Sequence, residues 1–180
     1  MTTKILVLGA GCFWCVEACY RNIKGVIKAT SGFSGGDPSR ITYKEVYTGT
    51  TGHAEVVRVE YDAEIISTEK LLYVYFAIHD PTQLNRQNDE DVGSHYRSVI
   101  FFQDLEEKEL AEKIIRELDE SGNYASKIVT ELTKFDKFFP AEDYHQNYLA
   151  LNPDNSYCQR IVRPKYEKFK KLFQDIFIQV

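Results

Sequence analysis

The 180-residue chain predicts an α+β fold, a two-layer α/β sandwich. Two observations carry that expectation. Apolar residues switch between a spacing of two and a spacing near 3.6 along the chain. The switches fall in the order β-α-β-β-α-β, with further helices and long loops around them, which is the ferredoxin-like succession. No internal repeat or low-complexity segment interrupts it.

The elements follow in chain order. Ile5-Leu6-Val7-Leu8 is a short apolar run, so residues 4–8 read as a buried strand. Residues 12–23 read as a helix that closes near Lys24-Gly25. Gly25 to Thr30 begins a second strand. Residues 31–52 are rich in Gly, Ser and Thr and read as a long surface loop, a length that often carries function. Ala54 to Tyr61 alternates, with Val57, Val59 and Tyr61 set against Arg58 and Glu60, and reads as a strand. Ser67-Thr68-Glu69 opens a helix through Ile78, which Asp80-Pro81 stops. Residues 81–96 are polar and irregular. Arg97 to Phe102 reads as a strand, Leu105 to Leu118 as an amphipathic helix, Ile128 to Leu132 as a strand and Ala141 to Ala150 as a short helix. A turn-rich stretch at 152–156 precedes a final helix from Pro164 to Ile178.

Length predicts a single domain over residues 1–180. With 43% hydrophobic and 27% charged residues, the chain suits an ordinary globule with a real core. A net charge of −5 argues against a nucleic-acid surface. No apolar run is long enough to span a bilayer, and Met1-Thr2-Thr3-Lys4 lacks a signal-peptide plan, so a cytoplasmic, membrane-free protein is expected. Four cysteines are too sparse for a disulfide scaffold; in a reducing compartment such thiols are catalytic, metal-binding or buried.

The most informative stretch is Gly9-Ala10-Gly11-Cys12-Phe13-Trp14-Cys15. It lies between the first strand and the first helix. A helix N-terminus stabilises a thiolate, so Cys12 is expected to have a lowered pKa and to be a nucleophile. The only tryptophan of the chain lies two positions on. Other readings compete. Gly9-Ala10-Gly11 resembles a dinucleotide-binding turn, but Trp14 stands where that turn needs a third glycine. Cys12 and Cys15 form a C-x-x-C, which fits a dithiol oxidoreductase or half of a zinc site. His53-Ala54-Glu55 supplies an H-x-E, yet zinc deaminases place theirs before the cysteine pair. A buried Cys15, with Cys19 on the same helical face, is the plainest alternative.

Six blocks narrow the choice. Gly11-Cys12-Phe13-Trp14-Cys15-Val16-Glu17, Gly32-Phe33-Ser34-Gly35-Gly36 and Thr51-Gly52-His53-Ala54-Glu55-Val56-Val57 are three of them. His79 to Gln87, Asp91 to Ser98, and Ala141-Glu142-Asp143-Tyr144-His145-Gln146 complete the set. In this order, over about residues 5–160, they resemble the type A peptide methionine sulfoxide reductases.

The resemblance implies an oxidoreductase that repairs oxidised proteins by reducing free and protein-bound methionine-S-sulfoxide. It implies Cys12 as nucleophile and Glu55 as proton donor. It implies Phe13 and Trp14 as the wall for the substrate methyl, Tyr43 and Tyr96 on the sulfoxide oxygen, and Asp91 nearby. It further implies that Cys158, in a redox loop near 152–163, resolves the Cys12 sulfenic acid as a disulfide. Thioredoxin, or dithiothreitol in vitro, then restores both thiols. No bound cofactor and no metal are expected, and a monomer is. His53 and His145 are expected to be structural neighbours.

The chain departs from the family pattern at Gln87-Asn88-Asp89-Glu90-Asp91-Val92-Gly93, which is one residue longer than usual. That leaves Asp89 as a rival to Asp91, which is preferred because Val-Gly follows it. His95 stands where glutamine is usual, and no Gly-rich tail with a third redox cysteine follows Cys158.

Overall fold

A computed structural model describes residues 1–178. Strand β1 (Thr3–Gly9) leads into helix α1 (Phe13–Arg21), and β2 (Val26–Ser34) returns beside β3 (Ala54–Asp62). Helix α2 (Tyr43–Tyr47) lies in the β2–β3 connection, and α3 (Thr68–Ala77) precedes β4 (Val99–Phe102). Then come α4 (Leu105–Glu120), β5 (Glu131–Lys134), β6 (Phe139–Pro140), α5 (Tyr148–Leu151) and α6 (Arg163–Leu172). The sheet order is β5-β4-β1-β3-β2-β6. The four central strands are antiparallel neighbours, with α1 in one crossover and α3 in the other. This is the expected β-α-β-β-α-β succession, extended by β5, parallel to β4, and by β6 at the far edge.

Side-chain alternation assigns the faces. Leu6 and Leu8 of β1 join Val57, Val59 and Tyr61 of β3 in the main core beneath the helices. Val7, Ala54, Val56, Val99 and Phe101 form a smaller cluster on the opposite face, capped by Phe135 and Phe138. One step back along β3, the same alternation turns Glu55 toward the helical layer, where it is 2% exposed.

Four boundaries differ from the sequence reading. Residues 31–34 are the buried end of β2 rather than loop, because Ser31 to Ser34 pair with β3. The strand expected at 128–132 starts at Glu131: Ile128 and Val129 give their amides to Asp119 and Pro81 instead of β4. The helix expected over 141–150 splits into a 3-10 turn at Asp143–His145 and α5, with left-handed Asn147 (φ 55°) between them. The C-terminal helix ends at Leu172 rather than Ile178, because the chain turns back. The amides of Lys24 and Ile178 bond the carbonyls of Ile176 and Asn22.

Candidate functional site

The site forms where β1 hands over to α1. Gly11 makes the turn with φ +83°, and a Cβ there would lie 2.5 Å from Gln87 Cγ, so only glycine fits. Cys12 then caps α1 with extended backbone, and the Cys15 amide donates to its carbonyl at 3.2 Å. The free amides of the first turn meet the site's acid: Phe13 N–H donates to Glu55 Oε1 at 3.1 Å. Burial holds the Glu55 carboxyl well above the usual range; the Cys12 and Asp91 charges add to this and the Phe13 amide opposes it. The shift favours the neutral, proton-bearing form of Glu55.

Cys12 corrects an expectation. Its thiol is pushed well up, not down. Burial is the largest cause, since the residue is only 5% exposed. A hydrogen bond with Cys15 and the charge of Asp91 act in the same direction, and the Trp14 amide opposes them weakly. Desolvation of a thiolate outweighs the helix N-terminus here.

Tyr43 opens α2 and Tyr96 closes a 3-10 turn at Ser94–Tyr96. Burial and then the Glu55 charge raise both phenols, so each remains an O–H donor. Glu142 Oε1 accepts the Tyr43 amide at 3.0 Å and anchors α2.

The lengthened acidic loop turns Asp91 inward and Asp89 outward. Asn88 Oδ1 accepts the amides of Glu90 (2.7 Å) and Asp91 (2.8 Å), an Asx turn that absorbs the extra residue. Asp89 points out to solvent and pairs with Arg86 at 3.0 Å. Asp91 points in, is 3% exposed, and accepts from Tyr157 Oη (2.5 Å) and Asn88 Nδ2 (2.9 Å).

The aromatic wall is larger than the sequence reading held. Phe13 and Trp14 line it, with Tyr43 stacked 6.1 and 6.3 Å from their rings. Tyr148 lies parallel to Trp14 at 3.8 Å and 4°, and Tyr157 meets its edge at 5.8 Å. Trp14 Nε1 donates to His145 Nδ1 at 3.1 Å. Sequence reasoning missed Tyr148 and Tyr157. Their only signal was the tyrosine content of the stretch around the 152–156 turn.

The histidines hold structure in place. Burial keeps His145 neutral, and it orients Trp14. His53 Nδ1 accepts the Gly36 amide at 3.0 Å, so its Nε2 carries the proton donated to the Asp37 carbonyl at 2.7 Å. Gly36 is required there, because a Cβ would fall 2.3 Å from the His53 amide nitrogen.

All four cysteines are free and buried. Cys12, Cys15 and Cys158 share one apolar cluster with Ala18, Leu149 and Val162. Cys19, one turn further along the same face of α1, joins the main core instead, where burial pushes its thiol up to about 12. Cys158 lies not on an irregular loop but in a π turn, Cys158–Val162, within helical backbone running from 156 to 172. Asn155 Oδ1 accepts its amide at 3.1 Å. Burial raises this thiol too, then the Cys12 charge, with Arg163 opposing. Among the described residues, no group of three or more His, Cys, Asp or Glu side chains could hold a metal ion, and no helix is long and apolar enough to cross a membrane.

Comparison with known proteins agrees with this geometry. A family profile described as peptide methionine sulfoxide reductase matches residues 4–176. The chain is 53% identical over 175 residues to the peptide methionine sulfoxide reductase MsrA of Pasteurella multocida, covering 97% of this chain and 99% of the relative. The reduced form of Mxr1 from Saccharomyces cerevisiae superposes with a TM-score of 0.77 at 35% identity, over 87% of this chain and 89% of that one. Mxr1 in complex with Trx2 aligns with a TM-score of 0.52 at 26% identity, over 81% and 84% of the two chains.

Proposed function

The chain belongs to the peptide methionine sulfoxide reductase family, and from that premise we propose how its residues divide the reduction of methionine sulfoxide. The substrate methyl lies against Phe13 and Trp14, where a flat apolar wall excludes water. The sulfoxide oxygen points to the phenols of Tyr43 and Tyr96 and to Glu55. Cys12 sulfur attacks the sulfoxide sulfur while Glu55 gives its proton to the oxygen. Glu55 recovers a proton from the Cys12 thiol. Both groups start neutral, so no net charge is created in the buried site. The protonated oxygen then passes to the Cys12 sulfur as its bond to the substrate sulfur and the new S–S bond break, so methionine leaves as the reduced thioether and Cys12 carries a sulfenic acid.

Cys158 then condenses with Cys12, releasing water and leaving a disulfide, which thioredoxin reduces. Mxr1 is known in complex with Trx2, which supports a thioredoxin for this chain. Cys158 shares the buried cluster of Cys12, which supports it as resolver. We assign the S epimer, free or within proteins, as substrate. We place the protein in the cytoplasm as a monomer of one domain, since one chain supplies every group named here.

The observation that carries this reading is a buried neutral acid bonded to the amide next to a buried thiol. Single-turnover methionine formation tests it. Cys12→Ser is expected to abolish the product, and a Cys12→Ser protein that forms methionine at the wild-type rate refutes the assignment.

A further inference from the structure

We propose that His95 is a substrate-binding residue whose ring N–H donates to a main-chain carbonyl of the polypeptide that carries the sulfoxide, with Tyr47 as a cover that turns aside to admit it. The proposal rests on the reading of Tyr43 and Tyr96 as the phenols on the sulfoxide oxygen. It extends the site from the methionine side chain to the peptide group beside it.

The first observation is an imidazole without partners. His95 is 4% exposed, and neither of its buried ring nitrogens has a hydrogen bond. Burial lowers its pKa and Asp91 opposes this, so near neutrality the ring holds one N–H donor and one acceptor. Asp91 acts through charge alone, since its Oδ2 accepts from Tyr157 and Asn88. Elsewhere at the site, the unbonded Glu142 Oε2 and His145 Nε2 face each other at 3.3 Å. His95 makes no such pairing among the described residues. A buried donor and acceptor left unpaired oppose folding, and a ligand that pairs them recovers that loss.

The second observation is where the ring lies. It packs on Tyr96 with centroids 4.0 Å apart and meets the edge of Tyr47 at 5.9 Å. Tyr47 in turn lies 5.9 Å from Tyr43, one turn back on α2. The four rings therefore run from the two phenols of the oxygen site to the surface, where Tyr47 is 60% exposed. In methionine sulfoxide only Cβ and Cγ separate the sulfur from Cα. A substrate held at Tyr96 thus carries its main chain out along the neighbouring rings.

The third observation is the room around the imidazole. His95 lies against two glycines: a Cβ on Gly49 would fall 3.6 Å from Nδ1, and one on Gly93 2.6 Å from Cε1. Bare backbone at both positions leaves space for the ring, and a side chain at Gly93 would displace it. Tyr47 packs on the ring by an edge contact, and an exposed side chain changes rotamer within nanoseconds. Rotation of Tyr47 uncovers a donor at the rim of the pocket.

A pair of substrates tests this. N-acetyl methionine sulfoxide N-methylamide carries a peptide group on each side of Cα. Dimethyl sulfoxide has the reacting sulfur, oxygen and methyl but no main chain. With dithiothreitol as reductant, kcat/KM is measured for both. In His95→Leu the ratio of the capped residue to dimethyl sulfoxide is expected to fall about tenfold, mainly through KM. His95→Gln, which keeps a donor and an acceptor, is expected to recover most of it. An unchanged ratio in His95→Leu overturns the proposal, because a ring that only supports Tyr96 slows both substrates alike. Nitrogen NMR of the intact imidazole gives a second reading that no folding defect can mimic. In Cys12→Ser protein, the His95 nitrogen signals are expected to move on saturation with the capped sulfoxide and to stay in place with dimethyl sulfoxide. Signals that ignore the capped sulfoxide, or answer both alike, overturn the proposal as well. If wild-type protein reduces neither sulfoxide, the reading of the site itself fails, which is a separate result.

Discussion

Replacing Glu55 by Gln separates the acid from its neighbourhood. Gln keeps the shape and the Oε1 acceptor that holds the Phe13 amide at 3.1 Å, and it matches the neutral charge of the resting carboxyl. It cannot surrender a proton. Loss of a positioned general acid costs on the order of 10²–10⁴-fold, so methionine formation in a single turnover is expected to slow by that factor. The fold carries an independent signature. Glu55 is 2% exposed and its folded pKa is raised, whereas the unfolded carboxyl titrates near ~4.3. Between those two values the folded state holds one proton more than the unfolded state. Wild-type stability contributed by this group is complete below ~4.3 and falls by about 1.4 kcal/mol per pH unit above it, until pH reaches the folded pKa. Glu55→Gln has no such dependence. The stability of the variant minus that of wild type is therefore expected to climb by about 1.4 kcal/mol per unit as pH rises above ~4.3 toward the folded midpoint. Urea unfolding at several pH values measures that difference, and quenched single turnovers measure the rate. A flat difference, or a variant with the wild-type rate, refutes a protonated Glu55 acting as acid.

Further predictions concern the surroundings. Because burial raises the Cys12 thiol, its alkylation by iodoacetamide in the free protein is expected to be slow at pH 7 and to climb beyond the ordinary midpoint of ~8.5; a plateau reached below pH 7 contradicts this. Tyr148→Ala removes the ring stacked 3.8 Å from Trp14, a contact worth about 0.5–1.5 kcal/mol. It is expected to raise KM more than it lowers kcat, as steady-state kinetics with free methionine sulfoxide would reveal. Asp89→Asn, on an exposed side chain, is expected to shift stability by less than ~0.5 kcal/mol. Asp91→Ala strands the Tyr157 hydroxyl and the Asn88 amide and is expected to cost about 1–3 kcal/mol by urea denaturation. Gly11→Ala forces a Cβ to 2.5 Å from Gln87 Cγ at φ +83°, and thermal unfolding is expected to show a loss above ~1 kcal/mol.

Local chemistry made much of this legible in the chain itself. The alternation of Val57, Val59 and Tyr61 marked β3 as a strand, while the burial of Glu55 on their face, two positions before Val57, emerged only with the structure. The Ser67 cap and Asp80-Pro81 bounded α3 because caps and proline act within a few residues. What escaped depends on contacts distant in sequence. Burial of Cys12 comes from segments around residues 91, 149 and 158, so a local helix-dipole estimate had the wrong sign. That Cys15 and Cys19, one turn apart on α1, contact different clusters reflects where α6 and the π turn pack against α1. Tyr148 and Tyr157 join Trp14 across more than 130 residues. Which of Asp89 and Asp91 turns inward depends on the Asn88 turn, whose outcome needs the path of the whole loop.

The central claim is that Cys12 takes the oxidising equivalents of the sulfoxide and shares them with Cys158. Disulfide peptide mapping at the end of one turnover, with methionine counted in the same sample and no reductant present, tests it most directly. One methionine per chain, two thiols lost and a Cys12–Cys158 peptide are predicted. Methionine formed while the Cys12 peptide stays free and alkylatable would contradict the account.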